Sequence, residues 1–156
     1  MKKLFLPLLI LLSNIEAMDA PKCDKCSIAK EYAKCSYYVE NKGDISKTNS
    51  CLIYAQSMYE GTSYGRASWY YLVGKDIDKA LESGKKAINQ KEYFAAEQLS
   101  EIFIIKNDTK NAKKYADLFK KRVPKEGAIF IDKHLEILKK IYKDKFDADL
   151  AKKLLS

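Results

Sequence analysis

The chain has few of the residues that most often carry catalysis or phosphate binding. Its 156 residues include one histidine, His134, six scattered glycines and two arginines, Arg66 and Arg122. No serine–histidine–acid set and no glycine-rich phosphate loop is recognisable. Carboxylates are plentiful but scattered, without a recognisable pair, and His134 lies in an apolar stripe, where we expect it to pack rather than react. This composition favours a protein that is not an enzyme, and it predicts neither a cofactor nor a metal ion.

Long apolar runs are missing apart from one near the N-terminus. Residues 4–12 form an apolar run broken only by Pro7, two lysines precede it, and small residues follow at Ala17 and Ala20. This order is typical of a secretory signal peptide, and the run is shorter than the ~20 residues that cross a bilayer. We expect residues 1–17 to be removed, with cleavage after Ala20 or retention as an anchor as alternatives. The predicted location is the periplasm, or alternatively outside the cell, without stable membrane insertion after cleavage.

Positive charge exceeds negative charge in the expected mature chain. Without residues 1–17 the chain has 139 residues and a net charge of +7, which suits one domain with a hydrophobic core. The lysines are spread along the sequence, as on a solvated surface, but the excess also favours acidic partners. Because arginines and aromatic residues are nowhere interleaved and export is expected, nucleic acid is not an expected partner.

The sequence repeats itself with a period of 32 residues. Asp44, Asp76 and Asp108 follow one another at this spacing, each in a short polar loop. Three further sets share the spacing, namely Ser36, Ser68 and Ser100; Val39, Tyr71 and Phe103; and Ala55, Ala87 and Phe119. Each aspartate precedes a stretch with helical periodicity, where a carboxylate is suited to accept hydrogen bonds from free backbone N–H groups. We therefore interpret the three aspartates as helix caps.

Apolar residues follow the spacing of buried helices. Stripes at i, i+3, i+4 and i+7 lie within 51–59, 77–88 and 112–123, and the segments that precede these ranges show them too. No segment alternates with a period of two, so no sheet is expected. The sequence predicts an all-α fold, a short α-solenoid of about three helix-turn-helix units over 28–124.

The residues on either side of the repeats are given separate roles. After Pro124, residues 125–156 are expected to form capping helices, one from Lys125 to about Lys143 and a short one over 147–155. A solenoid needs such a cap because its last unit otherwise exposes an apolar face. Residues 18–27 form a short lead-in that contains a Cys-x-x-Cys motif.

Several of these positions resemble the tetratricopeptide repeat. Small residues on the first helix of a unit, Ser68 and Ser100, are followed three positions later by an aromatic residue, and an alanine opens the second helix. The segment 51–61 and the sequence Ala67-Ser68-Trp69-Tyr70 are similar to the SEL-like variety of this repeat, which includes secreted, cysteine-containing proteins. The resemblance covers about residues 28–124. It implies a stack of helix pairs that binds another protein or peptide as a scaffold or adaptor.

The same resemblance implies where a partner binds. First helices line the concave groove in this repeat class, which makes Tyr38, Trp69 and Tyr70 the candidate groove residues. Tyrosine and tryptophan are well suited to partner contacts because they are rigid and amphipathic. A place in the core is the alternative for all three residues. The expected partner is another protein or a peptide. The basic charge of the chain favours a partner with an acidic surface.

The four cysteines suggest two disulfides in an oxidising compartment. Cys35 lies on the apolar stripe of the first helix, nine residues before Asp44, and Cys51 lies on the stripe of the second helix, seven residues after it. In an antiparallel hairpin this difference is a stagger of about 3 Å, so a Cys35–Cys51 disulfide is geometrically reasonable. Four cysteines nevertheless allow three pairings, and the sequence does not choose securely among them.

Cys23 and Cys26 form the Cys-x-x-Cys motif and have several interpretations. Export favours a structural disulfide, within this pair or to another cysteine. Half of a zinc site, completed by Cys35 and Cys51, is less compatible with cysteines on buried stripes. A thiol–disulfide redox protein that uses Cys23 and Cys26 is the alternative function, and a secreted effector is a third hypothesis.

Overall fold

The chain is helical throughout the part that the structure describes. The computed structural model describes residues 25–124 and 129–156, so the predicted signal peptide 1–17 lies outside it. The α-helices in these ranges are α1 (Lys25–Lys34), α2 (Thr48–Glu60), α3 (Tyr64–Val73), α4 (Ile77–Asn89), α5 (Ala95–Ile105), α6 (Thr109–Arg122), α7 (Ile131–Tyr142) and α8 (Ala148–Leu155). No strand occurs in these ranges, and the all-α class is confirmed. None of these helices combines the length and the apolar character needed to cross a bilayer.

The turns between paired helices share one backbone conformation. Gly43, Lys75 and Asn107 all have positive φ, at 68°, 69° and 57°, and they lie 32 residues apart. When the residue after a helix has a left-handed backbone conformation, the N–H groups that follow can donate hydrogen bonds to the last carbonyls of the helix. Lys75 and Asn107 adopt this conformation at some energetic cost because they carry a Cβ atom, whereas Gly43 does not. The turn into the second helix therefore recurs in geometry as well as in sequence.

An aspartate follows each of these turns and caps the next element. Asp76 and Asp108 each accept a hydrogen bond from the backbone N–H three residues further on, at 3.1 and 3.0 Å. Asp44 accepts one from the Ser46 N–H at 3.0 Å and caps the 3-10 turn Ile45–Lys47, which leads into α2. Bonds from the side chain and then the backbone of Ser46 hold the pKa of Asp44 below its usual value. The hydrogen bonds from Ser46 thus favour the ionised form of Asp44 at the positive end of the element that it caps.

The first unit differs from the other two in the hydrogen bonding that ends its first helix. A π-helical segment, Cys35–Asn41, continues α1. The Asp44 N–H bonds to the carbonyl of Tyr38, six residues earlier. The Asp76 and Asp108 N–H groups bond instead to the carbonyls of Tyr71 and Phe103, each five residues earlier. The first turn therefore closes on a wider backbone ring than the other two.

The helices α3 and α5 are buried on all sides. Residues 67–73 of α3 and 95–102 of α5 are buried without interruption. A helix in a two-layer stack leaves one stripe exposed, so continuous burial requires a further layer. The helices α2, α4 and α6 flank α3 and α5, and the C-terminal helices supply the additional cover, since α7 packs on α3 and α8 packs on α5 and α6.

Three helices meet closely at Gly84 of α4. A Cβ atom at this position would lie 2.8 Å from Leu99 Cδ2 on α5 and 3.0 Å from Ser68 Oγ on α3. The Ser68 hydroxyl donates a hydrogen bond to the Ala80 carbonyl at 3.0 Å. Larger side chains at these positions would force the helices apart, and overpacking of this kind costs about 1–3 kcal/mol. The small residues of the repeat therefore set the helix spacing.

The C-terminal hairpin begins later than the sequence pattern predicts. The expected helix starts at Lys125, but residues 129 and 130 form a turn and α7 starts at Ile131. Phe130, the first member of the expected stripe, is 57% exposed, so no buried contact supports a helix at that point. A 3-10 turn, Lys143–Lys145, ends α7 and leads to α8, whose cap Asp147 accepts a hydrogen bond from the Leu150 N–H.

Candidate functional site

The face predicted to be an open groove is covered in the structure. Trp69 is 7% exposed and Tyr70 is 9% exposed, and of the three predicted groove residues only Tyr38, at 40%, lies at the surface. The cover over Trp69 is α7, which packs against α3. The prediction that Trp69 and Tyr70 present an open binding surface is therefore wrong for this structure, and the alternative, a place in the core, applies to both.

Three specific contacts tie Trp69 and α3 to their surroundings. The imidazole ring of His134 on α7 lies 4.2 Å from the Trp69 ring, centroid to centroid. The Trp69 indole N–H donates a hydrogen bond to Glu40 Oε1 at 2.8 Å. The Tyr142 hydroxyl, at the end of α7, donates one to the Leu72 carbonyl at 2.7 Å. Two of these contacts come from α7, so the hairpin docks with a defined register on the first-helix face.

His134 also contacts a carboxylate that the sequence analysis did not single out. Its Nδ1 atom lies 2.8 Å from Glu97 Oε1 on α5. Glu97 is 5% exposed, and Glu101, one helical turn further along, is fully buried. The statement that the carboxylates form no pair is thus wrong at this position. The signal was available, because the two glutamates of the helix Ala95–Ile105 are four residues apart, which places them on the same face.

Glu101 lies in an unusual environment for a carboxyl group. Within the described residues, neither of its oxygen atoms has a hydrogen-bond partner, and the same is true of Gln98 Oε1 and of the Ser83 and Ser100 hydroxyls. Burial, and next the charge of Glu97, raise the pKa of Glu101 well above its usual value. A carboxyl in such a place is held in its neutral form. The pair is therefore a polar inclusion beneath the C-terminal hairpin, in which Glu101 is fully buried and Glu97 nearly so.

The tyrosines near the predicted groove form a packed cluster. The ring of Tyr70 lies 4.7 Å from that of Tyr54 and 5.9 Å from that of Tyr32, centroid to centroid. Burial raises the pKa of the Tyr70 hydroxyl far above its usual value, with a smaller contribution from Glu40. Tyr70 thus stays protonated and serves the core, while Tyr32 is partly exposed at the edge of the cluster.

The predicted disulfide between Cys35 and Cys51 is present. Their Cα atoms are 4.9 Å apart, and both side chains are fully buried. A bond that closes a loop of this size stabilises a fold by about 3 kcal/mol. Because these two cysteines are bonded to each other, they are not available as ligands for a four-cysteine zinc site. Cys23 and the side chain of Cys26 lie outside the described residues.

An open cleft lies at the edge of the molecule where the turns into the second helices come together. Its volume is about 620 Å³. Gly43, in the first of these turns, lies so close to α7 that a Cβ atom there would be 3.3 Å from Lys140 Cβ. The cleft is lined by Ile45, Lys75, Ile77, Asp78, Ile105, Lys106, Ile141, Tyr142, Lys143 and Lys145. The turn edge and the end of α7 thus form its two sides.

Apolar side chains form the deeper part of this cleft. Ile141 and Tyr142 are buried, while Ile77 and Ile105 are half-buried and Ile45 is 43% exposed. Ile45 and Ile77 each follow a capping aspartate and are 32 residues apart. The apolar floor is therefore built partly from equivalent positions of successive turns.

Lysines form the rim. Lys75 and Lys106 belong to the turn edge, and Lys143 and Lys145 belong to the 3-10 turn after α7. All four are exposed. With Asp78 as the one carboxylate of the lining, the ten side chains carry a net charge of +3. Sequence reasoning found the overall basic charge, but it did not predict that these four lysines, distant in sequence, share one cleft.

The rim lysines are weakly neutralised by the protein itself. Lys106 Nζ lies 3.8 Å from Asp78 Oδ1, at the outer limit of an ion pair, and the Asp78 side chain is 93% exposed. The Lys75 ammonium lies 5.9 Å from the centre of the Tyr142 ring. Lys143 and Lys145 form no ion pair with a carboxylate of the described ranges. The cleft thus offers positive charge to an external ligand above an apolar floor.

No metal site is evident in the portion of the chain that the structure covers, where no three histidine, cysteine or carboxylate side chains are grouped to hold an ion. Comparison of the chain with protein-family models, with curated proteins and with solved structures gives no match. The resemblance to tetratricopeptide and SEL-like repeats therefore stays a prediction from the sequence.

Proposed function

We propose that the chain is an exported scaffold protein, a short tetratricopeptide-like array that binds another protein or a peptide. The observation that carries this proposal is the turn that recurs at Gly43, Lys75 and Asn107, each time with a capping aspartate next in sequence. Arrays of this kind are built from units that repeat in both sequence and backbone, and they present extended binding surfaces.

The disulfide supports the exported location. Structural disulfides form and persist in oxidising compartments, such as the periplasm, and are rare in the cytosol of most organisms. Cys35 and Cys51 are buried and bonded, which agrees with a chain that folds after export. This bond and the predicted signal peptide support a periplasmic location, with release from the cell as the alternative.

The surface that remains for a partner is the exposed rim of the array. Because α7 covers Trp69, the partner contacts are assigned to positions that stay accessible, such as Tyr38 and the turn edge near Lys106. This assignment replaces the groove around Trp69 and Tyr70.

Site-specific photo-crosslinking tests the proposal. The complete chain, with its own N-terminus, is produced in its source cell with a photoreactive residue at Tyr38 or at Lys106, and in a control at Lys121, which is exposed at the far end of α6. We expect one and the same partner to be crosslinked from Tyr38 or Lys106 in the exported fraction, and not from Lys121. Adducts that do not depend on position, or a chain found in the cytosol, would contradict the proposal.

A further inference from the structure

We propose that the cleft between the turn edge and the 3-10 turn after α7 is a binding site for an acidic peptide segment that carries apolar side chains between its carboxylates. This inference rests on the proposed scaffold function and specifies its partner. It places the site at the edge of the array and away from the first-helix face, which the C-terminal hairpin occupies.

The distribution of charge argues for a ligand with separated carboxylates. Lys75 and Lys106 belong to the turn edge, and Lys143 and Lys145 belong to the 3-10 turn after α7. A compact anion such as phosphate is usually held by converging backbone N–H groups or by the forked donors of arginine, and the lining contains no arginine. Lysines contributed by separate segments instead match negative charges that are spread along an extended chain.

The floor of the cleft argues for apolar side chains in the same ligand. Ile45 is 43% exposed, and it lies beside Ile77 and the buried Ile141 in the lining. Covering such a surface is favourable, at about 25 cal/mol per Å² of apolar area removed from water. A purely polar acidic chain would leave this gain unused. A volume of about 620 Å³ suits a short segment, since pockets of about 300–1,000 Å³ bury a drug-sized ligand.

A binding experiment with matched variants tests the site. The probe is a fluorescein-labelled peptide in which aspartates flank leucines, and its binding to the mature oxidised protein is followed by fluorescence anisotropy. Lys106→Glu/Lys145→Glu reverses one charge on each rim. Lys120→Glu/Lys121→Glu makes the same change in net charge at the far end of α6 and serves as the control. Ile45→Ser removes an exposed part of the floor, and circular dichroism checks that each variant is folded.

We expect the cleft variant to bind the peptide at least about tenfold more weakly than the parent, with the difference shrinking at high salt, because rim charges act through screened interactions. The control variant should bind like the parent, and Ile45→Ser should weaken the aspartate–leucine peptide but not one of aspartate and serine. Equal losses in the two double variants, or no saturable binding, would overturn the site.

Further experiments distinguish a peptide from other ligands, and they distinguish failure of this site from failure of the scaffold function. Inorganic phosphate and vesicles of anionic phospholipid are tested as competitors, and tighter binding of either one than of the peptide would count against a peptide site. If Lys106→Glu/Lys145→Glu still crosslinks the cellular partner from Tyr38, the scaffold function holds and this cleft is not its site. If no partner crosslinks to any variant while the peptide still binds the cleft, the site holds and the scaffold function fails.

Discussion

At the scale of single residues, Glu101 has the most distinctive electrostatics of the described chain. Its burial and its neighbour Glu97 raise its pKa well above the 4.5 of an exposed glutamate. At a pH between the pKa of Glu101 in the unfolded chain and its higher pKa in the folded chain, the folded chain holds a proton that the unfolded chain has released. The free energy of unfolding therefore falls as the pH rises from the first pKa to the second. The stabilising contribution of the Glu101 carboxyl is complete only below the pKa of the unfolded chain.

We predict that Glu101→Gln removes this loss of stability at high pH. The variant should be more stable than the parent at about pH 8 and similar to it at about pH 4, because the amide does not titrate. Urea unfolding at a series of pH values measures the effect, and the matched control is Glu136→Gln, an exposed position on α7. Parallel pH profiles of the parent and Glu101→Gln would show that the carboxyl is solvated in the folded protein.

A second residue-scale prediction concerns the contact of His134 with Glu97. The histidine supplies the one hydrogen bond of the Glu97 carboxylate among the described residues and stacks on Trp69. His134→Ala should cost about 2–4 kcal/mol, because it leaves a buried carboxylate without a partner. In a Glu97→Ala background the same substitution should cost at least about 1 kcal/mol less. Unfolding of the four proteins measures this coupling, and strictly additive effects would mean that the two side chains do not interact.

At the scale of helices, α7 has a role that its sequence only partly reveals. Its apolar stripe predicted a capping helix, but a stripe does not say which surface it covers. The structure places Leu135, Ile137, Leu138 and Ile141 against the body of the protein. Each buried side chain of this size contributes about 1.5–3 kcal/mol, so α7 alone supplies an amount comparable to the net stability of a small domain, about 5–15 kcal/mol.

We therefore predict that a chain ending at Pro124 does not fold stably. Removal of α7 and α8 uncovers Trp69, the one tryptophan of the sequence, so its fluorescence maximum should shift to the red and the protein should bind a hydrophobic dye. Addition of the separate segment 125–156 should reverse both changes if the hairpin docks as in the intact chain. A truncated protein with native-like fluorescence and cooperative unfolding would show that α3 does not depend on this cover.

At the scale of the whole molecule, the sequence was most informative where the physical signal is local. Helical stripes and the capping aspartates depend on neighbouring residues, and they identified the helices and the turns at Asp44, Asp76 and Asp108. The docking of α7 on α3 joins residues as distant as Tyr142 and Leu72, and no local pattern specifies such a pair. The same limit applies to the cleft, whose lysines converge only after the hairpin has folded back.

The last prediction links export, oxidation and stability of the entire chain. In the proposed function, the predicted signal peptide routes the chain to an oxidising compartment, and the Cys35–Cys51 bond leaves Cys23 and Cys26 as the other two cysteines of the sequence. We expect exported protein to begin at Met18 or Pro21 and to resist alkylation at Cys35 and Cys51.

The same mature sequence made in the cytosol should be alkylated at both of these cysteines. It should also unfold at a lower urea concentration, with a free energy of unfolding lower by about 3 kcal/mol, because the loop is no longer closed. A Cys35→Ala/Cys51→Ala variant is the control, since its stability should not depend on the compartment. Equal stability of the two parent preparations, with their thiols in different states, would mean that the bond is incidental to the first unit.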